Sequence, residues 1–323
     1  SLGNTLQEMG EFEEAMNNYA QAMKLRPYFV NAEENIINCF TVFNPKNLIS
    51  NPIFEVNEKI RKSNIGLNLN GKILDTQVTK LISKSFNLIK NKKLNLVTEL
   101  SQIYRRNSDN LNCKRHMSIF REHNIIPEFC FGCYKVQIEP SNVLELIKLM
   151  MIFDHLKLKD NNTRKCMVEL RPEISGSYKG LIYCSSLKQA NEIAIITDKI
   201  VKNKISNKLT SKVKRGCSEY PISFPSYKEI NNNGPQIMNY NKDWKLIEEH
   251  YDSQNSIKSK SIILPSLSFL SLSDVLIIRN WIDYAKGIGD SSAQLLNQSG
   301  VVSQRVYEIA KSRLETHVWQ ELI

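Results

Sequence analysis

No apolar run in this sequence approaches the roughly 18 residues that a membrane span requires. The densest patch, Val143 to Phe153, carries Glu145 and Lys148 and reads as a buried helix. Also missing are the short motifs of the commonest enzyme chemistries. There is no H-E-x-x-H pair, no Walker phosphate loop, no G-x-S-x-G turn and no G-x-G-x-x-G after a strand. Gly287 and Gly289 follow a helical pattern, which is the wrong setting for a phosphate cradle. Cysteine is sparse and odd in number, seven in 323 residues, unlike the dense even set of a secreted mini-protein. That excludes a disulfide-stapled scaffold, favours a reducing compartment and makes the cytoplasm the expected location.

What is present is enough apolar residue, 41%, to bury real cores, over a length that suggests roughly two domains. The formal charge is +10, a balance compatible with polyanions such as nucleic acid, acidic proteins or anionic headgroups. The excess is concentrated: Tyr134 to Tyr220 holds sixteen Lys and Arg against nine Asp and Glu.

The first residues read as a helical hairpin. Gly3, Ala15 and Ala22 allow close helix approach, Leu6, Phe12 and Tyr19 fill the space between, Gly10 makes the turn and Pro27 ends the second helix. With Leu2-Gly3, Gly10, Phe12, Ala15, Tyr19, Ala22 and Pro27 at these spacings, the segment resembles the tetratricopeptide-repeat (TPR) family. A further helix, Phe29 to Phe43, carries Ala32, Ile36 and Phe40 in the same register, so the resemblance covers residues 2–43. It implies binding of a protein or peptide in a concave groove, with more repeats expected before Ser1 or capping helices after the stack. Residues 44–55, with Pro45 and Pro52, read as a loop. Helical patterns at Asp75 to Lys90 and Leu94 to Arg105 supply the caps, which makes residues 1–110 a first domain.

Residues 111–323 form the expected second domain. Between about 134 and 220, strand and helix patterns alternate: a strand from Tyr134 to Glu139, a helix from Ser141 as N-cap to Leu156, and a strand from Lys165 to Arg171. A strand from Tyr178 to Cys184, a helix from Leu187 to Lys204 and a strand from Lys212 to Cys217 follow. This β-α-β-β-α-β order predicts a ferredoxin-like sheet with both helices on one face. Helices at Trp244 to Tyr251, Ser273 to Lys286 and Val301 to Trp319 follow within about 243–323. The whole is α+β.

Cys113, His116, Cys130 and Cys133 form two pairs with two-residue spacers, and Phe131-Gly132 offers a tight knuckle. Three thiolates and an imidazole suit a structural tetrahedral zinc. His123 is an alternative ligand, and an iron–sulfur cluster drawing on Cys166, Cys184 or Cys217 is an alternative cofactor. Buried independent thiols are the plainer reading. Cys217 follows Lys214, Arg215 and Gly216, a cationic setting that makes it a candidate nucleophile. Glu169, Arg171, Lys179 and Tyr183 alternate onto one sheet face and are candidates for an anion pocket. Lys135, Lys212 and Lys214 are candidates for contact with RNA, since 177–183 is loosely similar to the third strand of an RNA-recognition motif. The expected function is a scaffold or adaptor that binds protein partners and is stapled by zinc. The alternatives are a metal- or cysteine-dependent enzyme and an RNA-binding module.

Overall fold

In a computed structural model the described residues are 2–26, 29–47, 49–63, 70–105, 111–171, 174–255, 269–296 and 303–320, with side chains described to 313. Helices α1 (Leu2–Met9) and α2 (Phe12–Leu25) pack as a hairpin around Gly10, whose φ of 86° is the left-handed turn that glycine accommodates. A Cβ on Gly3 would lie 2.5 Å from the Tyr19 ring, so close approach of α1 and α2 depends on that glycine. Pro27 lies outside the described residues. Helix α3 (Val30–Cys39) follows, and its end leads into the 44–51 loop. That loop is shorter than expected, because Pro52 is the first residue of a helix, α4 (Pro52–Ser63), where its fixed φ and missing N–H cost nothing. Helix α5 (Asp75–Asn91) covers the expected span.

Residues 94–105 are a correction. Their apolar spacing suits a helix, yet residues 94–101 are non-helical and 102–105 form strand β1 (Gln102–Arg105). A buried helix, α12 (Leu272–Gly287), takes over the carbonyls that a local helix would have used. Asn280 Nδ2 donates to Thr98 O at 2.7 Å and to Leu100 O at 3.0 Å, Trp281 Nε1 donates to Ser101 O at 2.8 Å, and Arg279 donates to Leu96 O. Tertiary donors thus satisfy a non-helical backbone that the local pattern would coil.

After α6 (Cys113–His123) and the short α7 (Glu128–Phe131) come β2 (Tyr134–Ile138), α8 (Val143–His155), β3 (Arg164–Val168), β4 (Tyr178–Cys184), α9 (Leu187–Lys204) and β5 (Ser211–Arg215). The sheet order is β1-β3-β4-β2-β5, antiparallel throughout. Helix α8 is apolar on nearly every side and is buried accordingly, its one lysine, Lys148, reaching Asp75 of α5 at 2.7 Å. Asn142 rather than Ser141 caps it, accepting from Glu145 N at 2.9 Å. Gly180 of β4 lets α8 sit directly on the sheet, since a Cβ there would lie 2.3 Å from Leu149 Cδ2. The chain ends with α10 (Tyr220–Ser223), α11 (Trp244–Gln254), α12 and α13 (Gln304–Gln320). The α12 cap is Ser271, not Ser273: its hydroxyl accepts from Asp274 N at 3.2 Å while its own N–H donates to Asp274 Oδ2 at 2.8 Å.

One buried cluster runs continuously from Ala15 in α2 through the sheet and α8 to Ala310 in α13, so packing does not break near residue 110. The junction is ionic at its centre. Arg105 of β1, 2% exposed, bonds Asp154 at the end of α8 and donates to Asp274 Oδ2 of α12 at 2.8 Å. Both carboxylates are equally buried, and Arg105 Nη2 also reaches the Phe269 carbonyl at 3.3 Å. Removing the guanidinium leaves two buried carboxylates with Arg61 as the remaining nearby guanidinium. Arg105→Leu is therefore expected to lower unfolding free energy by about 3–5 kcal/mol. Urea titration checks this, and a loss below about 1 kcal/mol would mean that the triad is not structurally critical.

Candidate functional site

Alternation along the strands separates two chemistries. Tyr134, Val136, Ile138, Cys166, Ile182 and Cys184 join the core that includes α8 and α9. The opposite face carries Gln102 and Tyr104 of β1, Lys165 and Met167 of β3, Lys179, Leu181 and Tyr183 of β4, Lys135 and Gln137 of β2, and Lys214 of β5. The register aligns these side chains in rows, Lys214 beside Lys135 beside Tyr183, and Leu181 beside Lys165 beside Tyr104. This polar face is not a flat open surface. Met117, Ser118 and Arg121 of α6, the turn from Cys217 to Glu219, and Glu169 to Arg171 wall it into a cavity of about 1160 Å³. That volume has room for a ligand of nucleotide size.

Two stations lie within it. At one, charges are matched: Glu169, 1% exposed, accepts from Lys179 Nζ at 2.8 Å and from Arg171 Nε at 2.7 Å, and Arg171 also bonds Glu219. Burial alone would raise the Glu169 carboxyl, but the hydrogen bonds from Arg171 and Lys179 outweigh it and bring it down to about 2. At the other, three ammonium groups meet sulfur, amide and hydroxyl partners instead of carboxylates. Lys135, 5% exposed, donates to Cys217 Sγ at 3.4 Å and lies 5.1 Å from the centre of the Tyr183 ring. Lys165 donates to Gln102 Oε1 at 3.0 Å and stands over the Tyr104 ring at 5.3 Å. Lys214 donates to the Ser218 hydroxyl. Burial, reinforced by the neighbouring Lys135 charge, pushes Lys165 and Lys214 down to about 8.

Of the residues singled out from the sequence, Glu169, Arg171, Lys179 and Tyr183 all line this cavity, and the first three are in direct contact. Lys135 and Lys214 line it too, whereas Lys212 is exposed beyond it. Tyr183 and Lys135 are buried, so they do not offer the open stacking platform expected of an RNA-binding sheet. Tyr104 and Gln102 lie in the segment whose apolar spacing predicts a helix, and Lys165 opens an expected strand with no motif to single it out.

The four residues expected to hold zinc have different immediate surroundings. Cys113 is exposed at the start of α6 and lines the cavity. His116 is buried and stacks on Phe129, ring centres 5.1 Å apart, with burial and the adjacent Arg115 lowering it to about 4. Cys130 sits in an aromatic cluster with its sulfur 3.1 Å from the Tyr220 hydroxyl, and burial pushes its thiol well up. Cys133 packs instead with Leu181 and Tyr183, its thiol pushed up to about 11 by burial. Among the described residues, no three His, Cys, Asp or Glu groups gather as ligands of one ion, although Cys113, Cys133 and Cys217 all lie within electrostatic reach of Cys130. His123 faces the Tyr251 ring edge-on at 6.1 Å. Cys166 and Cys184 point into the helix-covered core and Cys217 into the opposite cavity, which separates the thiols of the cluster alternative. No helix of the described residues is long and apolar enough to cross a membrane.

Comparison with protein-family models, curated proteins and solved structures gave no significant match. The site is therefore read from its own chemistry.

The Glu169 pairing stabilises the fold only while the carboxyl is ionised. Its contribution is complete above its ordinary value of 4.5 and is lost as pH falls towards 2. Urea midpoints of the wild type should drop through that window, and Glu169→Gln should flatten the drop while costing on the order of 3 kcal/mol at neutral pH. An unchanged acid profile in the variant would remove Glu169 as its source.

Proposed function

We propose that the α+β part of this chain binds a small ligand bearing phosphate or sulfate groups in the sheet-face cavity, while the N-terminal helices recruit a polypeptide. The observation that carries the first half is the convergence of Lys135, Lys165 and Lys214 without carboxylate partners. Burying like charges together is unfavourable and persists where a ligand's charge compensates for it. Ammonium groups on the neighbouring strands β2 and β5, and on β3 one strand further across β4, can meet oxygens of one diphosphate. Tyr104 and Leu181 offer an apolar wall for the remainder of the ligand. A cavity walled by α6 and the turn after Gly216, with Lys135 and Tyr183 buried in it, favours a small anion over a nucleic-acid strand.

Support for the second half comes from the TPR resemblance and from the α1–α2 hairpin closed over Gly3. The strand order β3-β4-β2-β5, crossed by α8 and α9, likewise supports a ferredoxin-like plan with β1 added at its edge.

Calorimetry with pyrophosphate and with ATP tests the reading, with adenosine as the uncharged control. Each of Lys135→Met and Lys165→Met is expected to weaken binding by about tenfold or more, the worth of one charge-assisted hydrogen bond. Affinity should be full below pH 8 and fall above it, because Lys165 and Lys214 lose their protons there in the free protein. No heat with either anion at low salt would overturn it.

The same lysines should cost stability. A lysine whose folded value is depressed to about 8 penalises the fold below that pH and is relieved as pH rises towards the unfolded value of 10.5. Lys165→Met is thus expected to raise the unliganded melting temperature at pH 7 while losing the anion. A fall in melting temperature would show that the lysine is structural.

A further inference from the structure

We propose that Cys217 is a peroxide-reactive modification site whose oxidation closes the lysine station to its anionic ligand. The switching half of this proposal rests on the ligand-binding reading above.

The backbone aims the thiol. Leaving β5, the chain turns at Gly216 with φ of 52°, and a Cβ at that position would lie 2.0 Å from the Tyr227 hydroxyl. Tyr227 is fully buried and its hydroxyl donates to Cys130 O at 2.6 Å, so it holds the turn in place. Glycine is required there, and the turn carries Cys217 back over the sheet face to within 3.4 Å of Lys135 Nζ. The sulfur is half-buried and lines the cavity, so a small oxidant that enters can reach it. An ammonium donating to sulfur stabilises negative charge as it builds there during attack.

A second observation, independent of the thiol, is the lysine row itself. Lys214 stands beside Lys135 across β5 and β2, and Tyr183 of β4 stands on the other side of Lys135. The hydrogen bonds of Lys135 and Lys214 go to a thiol and a hydroxyl rather than to carboxylates, a setting that suits an anion in the cavity they line.

The oxidant is a hydroperoxide. The sulfur attacks one peroxide oxygen, an S–O bond forms and the O–O bond breaks. Sulfur is oxidised by two electrons to sulfenic acid, and the peroxide leaves as water, or as an alcohol, with the thiol proton. A second equivalent repeats the exchange and yields the sulfinic acid. Its anionic oxygens then lie against Lys135, where they occupy the position of a ligand phosphate. Five other cysteines, Cys39, Cys130, Cys133, Cys166 and Cys184, are buried, and Cys113, exposed and within reach of the Lys135 charge while Lys135 donates its hydrogen bond to Cys217, gives an internal comparison.

The test treats the full chain with limiting hydrogen peroxide to map the rate of oxygen addition by peptide mass spectrometry, then with enough to form the sulfinic acid at Cys217, with pyrophosphate binding measured before and after that second treatment. Cys217 is expected to oxidise on the order of tenfold faster than Cys113, and Lys135→Met to remove most of that advantage. Oxidised protein should lose pyrophosphate binding, and Cys217→Asp, which places a fixed anion beside Lys135, should lose it without peroxide. In Cys217→Ser, peroxide should no longer change affinity. Equal or faster oxidation of Cys113, a Cys113–Cys217 disulfide as the main product, or a rate unmoved by Lys135→Met would overturn the assignment. If untreated protein does not bind pyrophosphate, the ligand-binding reading falls, while the two oxidation rates still decide whether Cys217 is the reactive thiol.

Discussion

One guanidinium buried between two carboxylates decides where the sheet meets the helices. Arg105 comes from an edge strand, Asp154 from the end of α8 and Asp274 from the first turn of α12, so three elements distant in sequence converge on one ion. Desolvating three charges is costly, and mutual attraction offsets that cost only when every partner is in place. Asp274 also closes the capping box of α12, which ties the start of that helix to the same point. The triad therefore fixes β1 against β3, and β1 brings Gln102 and Tyr104 onto the functional face.

That face shows an opposite balance. Around Arg105 every charge is answered, and around Glu169 nearly so. At Lys135, Lys165 and Lys214, the fold holds like charges together with only neutral acceptors of modest strength. A protein tolerates such an arrangement because the remainder of its core is large: a single apolar cluster extends from α2 to α13. Stability drawn from that cluster offsets the cost of holding those ammonium groups near one another.

Much of the architecture was legible in local pattern. Alternation in 134–139 and 178–184, the capping serine before α9 and the glycine-centred turn of the first hairpin each correspond to an observed element. That Glu169, Arg171, Lys179 and Tyr183 line one cavity was legible for the same reason, since period-two alternation places them on one face. Leu94 to Arg105 was not, because its apolar spacing satisfies a helix and only donors from α12, about 180 residues away, select the non-helical form. The paired spacers around Cys113, His116, Cys130 and Cys133 looked like one site. Spacing constrains what can reach a common point, while packing decides where each side chain goes, and here an aromatic cluster claims Cys130 and the cavity wall claims Cys133.

The sequence by itself determined the periodicities, the turns and the surplus of positive charge between 134 and 220, because each is a property of neighbouring residues. Only the tertiary structure decided whether that charge is spread over a surface or enclosed. Lys135 and Lys212 are two residues of one chemical type on the same sheet face, yet Lys135 is buried beside a thiol and Lys212 is exposed. The difference arises because α6 and the turn after Gly216 cover one end of the sheet and leave its edge open, and burial depends on what lies above a residue rather than on what lies beside it in the chain.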